Sequence, residues 1–214
     1  MSRQVACAVR FAVRLRGRRR GSTGFVGLRR RVVSWSLLAV LLALSGGEAV
    51  AAGGPFGWFA PAPAPAGWRH LTLPANGAVL SYPPSLTRIR SDPGSVSVER
   101  KDSKGDILAY LNATPQQGAE KLSTWPSFRV EHHLDENAIS DRVLGKARLS
   151  FRGGAGSCLI DDYVTRVGHN SYREIACFVV GRHAGSVIIA AGSTSSWQTV
   201  AAELERAVSA YQAR

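Results

Sequence analysis

Short alternations of apolar and polar residues fill the chain after residue 67 and predict strands. The clearest set lies at residues 153–192, where two apolar runs flank Gly168-His169-Asn170-Ser171 and a third follows Gly185. Apolar runs separated by Gly, Asn and Ser in this way are typical of a hairpin extended into a meander. Further strand-like runs occupy residues 68–73, 78–82, 95–101, 107–112 and 140–151, the last with a kink at Gly145.

In two segments the period changes from two to about 3.6 residues, which predicts helices. The first segment is residues 119–134, and Pro126 belongs in the first turn of its regular helix. The second is C-terminal: apolar residues within 200–211 share one face, and Ser195 with Gln198 forms a capping box. With about seven strands and two main helices, we expect an α+β domain with helices packed on an antiparallel sheet.

The net charge of +12 is concentrated ahead of this domain. Residues 1–51 hold ten arginines and one acid, which leaves +3 for residues 52–214. A nucleic-acid-binding domain carries its basic stripe on the folded surface, so we expect no nucleic-acid partner. Arginine outnumbers lysine 23 to 4, a bias typical of high-GC bacterial genomes.

Residues 1–51 have the layout of a secretory signal peptide. Arg29-Arg30-Arg31 precedes the 13-residue apolar run 32–44, and Ala49-Val50-Ala51 is a small-residue cleavage motif. The run is shorter than the roughly 20 residues that span a bilayer. We therefore favour cleavage between Ala51 and Ala52 and a secreted or cell-envelope location. The alternative is an uncleaved signal anchor, which would be the chain's only contact with a membrane.

The segment after this motif, residues 52–67, is rich in Pro, Ala and Gly and predicts an extended linker. It contains Phe56, Trp58 and Phe59. We expect these aromatic residues to pack loosely or to have no specific role; the alternative is a docking motif. Residues 68–214 follow as one domain, long enough to bury roughly 70% of its unfolded surface.

Two cysteines in the hairpin carry the most specific signal. If the chain turns at Gly168-His169, residues whose numbers sum to about 335 face each other. That register pairs Cys158 with Cys177, Ile160 with Ile175, Asp162 with Arg173 and Tyr163 with Tyr172. Such cross-strand pairs stabilise sheets. Since exported thiols oxidise, we predict a disulfide between the cysteines; the alternative is two buried free thiols.

The same register places two like charges, Asp161 and Glu174, opposite each other. A cation site is one interpretation, but no third acid is near in sequence, so we favour a solvated face or a one-residue bulge. The pair His132-His133, followed by Asp135-Glu136, is the only His/acid cluster in the sequence. Adjacent histidines point about 100° apart on a helix, unlike ligands at i and i+4. We expect a helix end in solvent and assign no metal ligand.

Motifs for covalent chemistry are missing from the sequence. Residues 154–158 are glycine-rich but lack the G-x-S-x-G pattern and the lysine of a phosphate-binding loop. Histidine occurs five times, at 70, 132, 133, 169 and 183, in no catalytic spacing. We assign no catalytic residue and no cofactor.

Several segments together resemble a family of exported proteins from high-GC bacteria with the fold of PsbP, the photosystem II extrinsic protein, and of the Ran-binding Mog protein. The resemblance covers roughly residues 67–214. Its matching segments are Trp68 with Leu73-Pro74, Tyr82-Pro83, Ala109 to Asn112, Trp125 with Phe128-Arg129, Gly156 to Tyr163, Tyr172 to Cys177, and Trp197.

The resemblance implies an α/β/α sandwich around an antiparallel sheet, and it implies no reaction. Residues that serve PsbP in photosystem II or Mog in Ran binding have no matching positions to which we can assign them. We expect an exported, non-catalytic accessory or binding module of the cell envelope, whose partner is an unidentified protein or small ligand. The alternative is a secreted hydrolase or metal-dependent enzyme that uses the histidines and acids.

Overall fold

The computed structural model describes residues 54–75 and 77–214. Their strands and helices follow one another in the order β1 (Arg69–Thr72), β2 (Val79–Tyr82), β3 (Thr87–Ile89), β4 (Val96–Lys101), β5 (Ile107–Pro115), α1 (Trp125–Glu136), β6 (Ala138–Phe151), β7 (Gly154–Thr165), β8 (Ser171–Val180), β9 (Gly185–Ser193) and α2 (Trp197–Ala210). Strand β3, only three residues long, has no counterpart in the sequence prediction.

Seven of these strands form one antiparallel sheet, in the order β3-β4-β5-β9-β8-β7-β6, and β1 pairs with β2 in a separate ribbon. The C-terminal half of the sheet is the predicted meander, since β7, β8 and β9 are neighbours in sequence and in space. The register of β6 against β7 shifts between Val143 and Gly145, which confirms the kink expected at Gly145.

The two helices cover opposite faces of the sheet. Helix α2 packs against one face through Val200, Leu204 and Val208, in a cluster that includes both hairpin cysteines. Helix α1 covers the other face, where Trp125 joins a second cluster with residues such as Leu159, Ala176, Phe178 and Ile189. The predicted α+β fold, an α/β/α sandwich, is therefore confirmed. Burial on both faces explains why the central strands are almost continuously apolar.

The helix starts differ in detail from those expected. Pro126 lies in the first turn of α1, as predicted. Helix α2, however, begins at Trp197 after Ser196, and no side chain caps its first turn. The predicted capping box is wrong because the Ser195 hydroxyl instead contacts the Ser193 hydroxyl at 2.9 Å.

Residues 54–67 pack onto the sandwich rather than extending away from it. Phe56 is only 3% exposed and belongs to the α2-side core, and the Phe59 ring meets Phe151 edge-on at 5.0 Å. A Cβ added at Gly145 would lie 2.7 Å from side-chain carbons of Pro55, so the glycine makes room for this segment. The loose packing expected for Phe56 is therefore wrong.

The predicted signal segment, with its cleavage site between Ala51 and Ala52, lies outside the described residues. Export and cleavage consequently stay predictions. Neither of the described helices is sufficiently long and apolar to cross a membrane.

Candidate functional site

The β7–β8 hairpin has the register expected from the sequence. Cys158 faces Cys177 and forms a disulfide with it, and both residues are fully buried. The other three predicted pairs also face each other: Ile160 with Ile175, Asp162 with Arg173, and Tyr163 with Tyr172.

The Asp162–Arg173 pair lies on the α2 side of the hairpin, near solvent. The Arg173 guanidinium donates two hydrogen bonds to the Asp162 carboxylate, at 2.7 and 2.9 Å, and rests 5.7 Å from the Trp197 ring centre. These bonds hold the pKa of Asp162 below its ordinary value. We regard this pair as structural, since each charge already has its partner.

Asp161 and Glu174 project to the opposite face, beneath α1. They are paired directly in the register without a bulge, and only 0% and 1% of their surfaces are exposed. The expected solvated face or bulge is therefore wrong. Strand alternation put both carboxylates on one face, and the helix that crosses β6, β7 and β8 removes that face from water.

Helix α1 supplies two basic side chains to this carboxylate pair. Arg129 donates from Nε and from its terminal nitrogen to the two oxygens of Glu174, at 2.7 and 2.8 Å. One turn later, His133 Nδ1 lies 2.7 Å from Asp141 Oδ2 on β6, and its ring packs against that of Tyr163 at a tilt of 36°, with 4.3 Å between the ring centres. We call Arg129, His133, Asp141, Asp161 and Glu174 the α1 cluster.

The two adjacent histidines have different environments. His132 is half-buried, contacts Glu136 at 3.1 Å and lies parallel to the Phe128 ring. His133 is only 8% exposed and belongs to the α1 cluster. The expectation of a helix end in solvent is thus wrong for His133, because the helix turns this residue toward the sheet.

Burial and neighbouring charges raise the pKa of Asp161 and His133 and lower that of Glu174. Burial, together with the Glu174 charge, raises the pKa of Asp161 to about 8. Burial also opposes ionisation of Glu174, but Arg129 and His133 outweigh it and hold the pKa of Glu174 well below its usual range. For His133, burial favours the neutral ring, yet the Glu174 carboxylate raises its pKa to about 9.

Some polar atoms of the α1 cluster have no hydrogen-bond partner among the described residues. They are both carboxylate oxygens of Asp161, Oδ1 of Asp141 and Nε2 of His133. Buried polar atoms normally find partners, so an unpartnered carboxylate requires an explanation. His133, Asp161 and Glu174 offer three ligand atoms within 4.8 Å of one another, a grouping that the sequence does not predict.

Other candidate residues are not brought together. His70 Nδ1 lies 3.0 Å from the Ser81 hydroxyl on the β1–β2 ribbon, whereas His169 and His183 lie in separate connections. Residues 154–158 belong to β7, and the glycines at 154 and 156 allow close approach of Val180 and Phe151. The glycine-rich segment therefore serves packing.

Comparison with protein-family models finds no match, and comparison with curated proteins finds none either. Among solved structures, CyanoP, the cyanobacterial PsbP from Synechocystis sp. PCC 6803, is similar with a TM-score of 0.50 and 12% sequence identity, over 70% of this chain and 94% of CyanoP. The chain has a PsbP-like fold.

Two further solved structures are more distant. One is a protein of unknown function from Pseudomonas aeruginosa, with a TM-score of 0.42, 10% identity, and coverage of 69% of this chain and 97% of that one. The other is LpqN from Mycobacterium tuberculosis, described as involved in cell envelope biogenesis, with a TM-score of 0.37, 14% identity, and coverage of 70% and 80%. At these scores neither adds to the argument for the PsbP-like fold.

Proposed function

We propose that this chain is an exported, non-catalytic accessory or binding module of the bacterial cell envelope. The observation that carries the proposal is the burial of the α1 cluster beneath its helix. Asp161, Glu174 and His133 form the candidate site, but each is at most 8% exposed, so a substrate has no access to them. Catalysis by side chains needs reacting groups in a pocket that substrate can enter. A partner must therefore be recognised by exposed residues of the domain.

The disulfide supports the export half of the proposal. Disulfides persist in oxidising compartments and are rare where thioredoxin and glutathione keep thiols reduced. Cys158 and Cys177 bridge two central strands, so the bond lies within the core of the sheet. The chain should accordingly mature outside the cytoplasm.

Fractionation of the producing cells tests export. The protein should be found in the envelope or the medium, begin at Ala52, and show no free thiol at the two hairpin cysteines after alkylation under non-reducing conditions. Reduced protein confined to the cytoplasm would contradict the proposal. Full-length protein retained in the membrane would instead favour the uncleaved anchor.

An activity screen tests the claim that the module is non-catalytic. The purified protein and its His133→Gln variant are compared on ester, peptide, glycoside and phosphate substrates. We expect no turnover by either. Turnover by the wild type that His133→Gln abolishes would establish the alternative, a hydrolase or metal-dependent enzyme.

Cross-linking in intact cells tests binding. A photoreactive residue placed at exposed surface positions, one at a time, should give a cross-linked product from one contiguous patch and not from elsewhere. The same product must disappear when a neighbouring exposed residue of that patch is changed to a charge of opposite sign. If no surface position yields a product, the binding role is refuted.

A further inference from the structure

The geometry points to a metal site in this fold: His133, Asp161 and Glu174 bind one divalent transition-metal ion between α1 and the sheet. This inference goes beyond the proposed function, because an ion in this position serves the domain itself whether or not the surface binds a partner.

The three ligand atoms lie close enough together to share one ion. One atom from each of the three side chains lies within 4.8 Å of the other two, and His133 Nε2 is 3.6 Å from Glu174 Oε2. Nitrogen and oxygen ligands stand about 2.0–2.2 Å from a zinc ion, so two of them on a tetrahedral ion lie roughly 3.4 Å apart. The most widely separated of the three atoms would therefore approach one another by roughly 1.4 Å at most to complete the coordination.

The environment of Asp161 points independently to the same ion. The residue is 0% exposed, and neither of its carboxylate oxygens has a donor among the described residues. His133 Nδ1 stands 3.8 Å from Asp161 Oδ2, beyond hydrogen-bond range, and a buried carboxylate without hydrogen bonds is costly unless it is neutralised. Coordination to an ion would satisfy Asp161 and the unpartnered Nε2 of His133 together.

The residues around the three ligands are arranged as the supporting shell of a metal site. A proton on His133 Nδ1, donated to Asp141 Oδ2 at 2.7 Å, leaves the Nε2 lone pair free for the ion. Metal-binding histidines commonly donate their other nitrogen to a carboxylate in this way. Arg129 fixes the Glu174 carboxylate, and each oxygen of that group retains a second lone pair.

The charge of the α1 cluster also accommodates an ion. A metal-binding histidine is a neutral imidazole, so the formal charges of the α1 cluster then sum to −2: three carboxylates against the Arg129 guanidinium. A divalent ion balances that sum, so the occupied site carries no net charge.

The ligand types select the class of ion. One imidazole nitrogen with two carboxylates suits zinc, manganese or iron, whereas calcium and magnesium take oxygen ligands. Among these divalent ions, zinc should bind more tightly than manganese at the same site.

Titration of the full-length chain, stripped with EDTA and then freed of chelator, tests the inference with ZnCl₂ and MnCl₂. We expect one ion per chain by calorimetry, with zinc the tighter, and a rise in the unfolding temperature on binding. Asp161→Asn keeps the shape of the side chain and should weaken binding at least tenfold, and Asp141→Asn should weaken it by about tenfold to 100-fold through loss of His133 orientation. Asp162→Asn is the matched control, since this neighbour faces α2, and should bind like the wild type.

The spectrum of bound Mn²⁺ or Co²⁺ provides a readout independent of folding. The wild-type signal of a nitrogen- and oxygen-ligated ion should be lost in Asp161→Asn while the circular dichroism of the variant is unchanged. If Asp161→Asn unfolds, His133→Gln replaces it in the same comparison. No binding by the wild type at millimolar metal, or equal binding by Asp161→Asn, would overturn the inference.

Discussion

Removal of the Arg129 guanidinium should destabilise the domain more than removal of an exposed charge, because its partner Glu174 is buried. Arg129→Met keeps the apolar stem on α1 but leaves the Glu174 carboxylate without its two charge-assisted hydrogen bonds. The Glu174 side chain is only 2% exposed, so water cannot replace the lost donors. EDTA in the buffer keeps bound metal from contributing.

The size of the effect follows from the surroundings of Glu174. Breaking a buried ion pair by removing one partner typically costs about 3–5 kcal/mol. Two features favour the lower end: the Arg129 side chain is itself 16% exposed, and His133 Nε2 remains 3.6 Å from Glu174. We therefore expect a loss of about 3 kcal/mol in the free energy of unfolding, or roughly 6–12 °C in Tm for a domain of this size.

Urea denaturation of the variants supplies the measurement. Arg129→Met should lower the midpoint without changing the slope. The double variant Arg129→Met/Glu174→Gln should be more stable than Arg129→Met alone, because no unpaired charge remains buried. The deficit of Arg129→Met should also shrink below the ordinary Glu pKa near 4.5, since a depressed carboxyl pKa gives stability that is lost as the pH falls.

A matched control comes from the other arginine–carboxylate pair of the hairpin. Arg173→Met breaks two hydrogen bonds to Asp162 of nearly the same lengths, 2.7 and 2.9 Å, but there 29% and 19% of the side-chain surfaces are exposed. We expect a cost below about 1 kcal/mol. Equal losses in Arg129→Met and Arg173→Met, or additive effects in the double variant, would refute the argument from burial.

Three further predictions concern other parts of the fold. Replacing both Cys158 and Cys177 by Ala should cost about 3 kcal/mol of unfolding free energy, because the bond closes a loop with a sequence separation of 19. Gly145→Ala should displace Pro55 and its segment, seen as faster amide exchange in residues 54–67. Tyr211, whose pKa burial raises to about 12, should ionise in the folded protein well above its ordinary value of 10.0, seen as a late tyrosinate absorbance step that Tyr211→Phe removes.

Each of these predictions has a result that contradicts it. Unchanged stability of the double alanine variant, or of the wild type under reductant, would exclude a stabilising disulfide. Gly54→Ala is the control for the segment, since a Cβ there meets nothing within 4 Å; equal exchange in both variants would refute the steric argument. Because a raised tyrosine pKa favours the neutral folded form, stability should fall between about pH 10 and 12, and a flat profile would contradict burial of Tyr211.

The hairpin was predictable because its signals are local. In a hairpin, the numbers of two facing residues add up to a constant. The cysteine, charged and aromatic pairs all give the same sum, so together they determine a single register. The same alternation places Asp161 and Glu174 on one face. The alternation does not reveal which face of the sheet a helix covers, because α1 comes to lie over the two carboxylates by packing against three strands. Residues 54–67 were misjudged for a similar reason, since Pro-rich composition does not reveal a groove elsewhere in the chain that accepts Phe56.

The sequence nevertheless holds a signal for the α1 cluster that a helical count recovers. Trp125, Arg129 and His133 are spaced i, i+4 and i+8 and therefore lie on one face of the helix. On this face, the buried tryptophan is followed by two basic residues. Bases on an inward stripe need acids beneath them, because buried charges are paired. Two like charges facing each other on neighbouring strands need a counter-charge for the same reason. The basic residues of α1 need buried acids, and the facing carboxylates need buried bases. Taken together, the two features predict that α1 lies over Asp161 and Glu174.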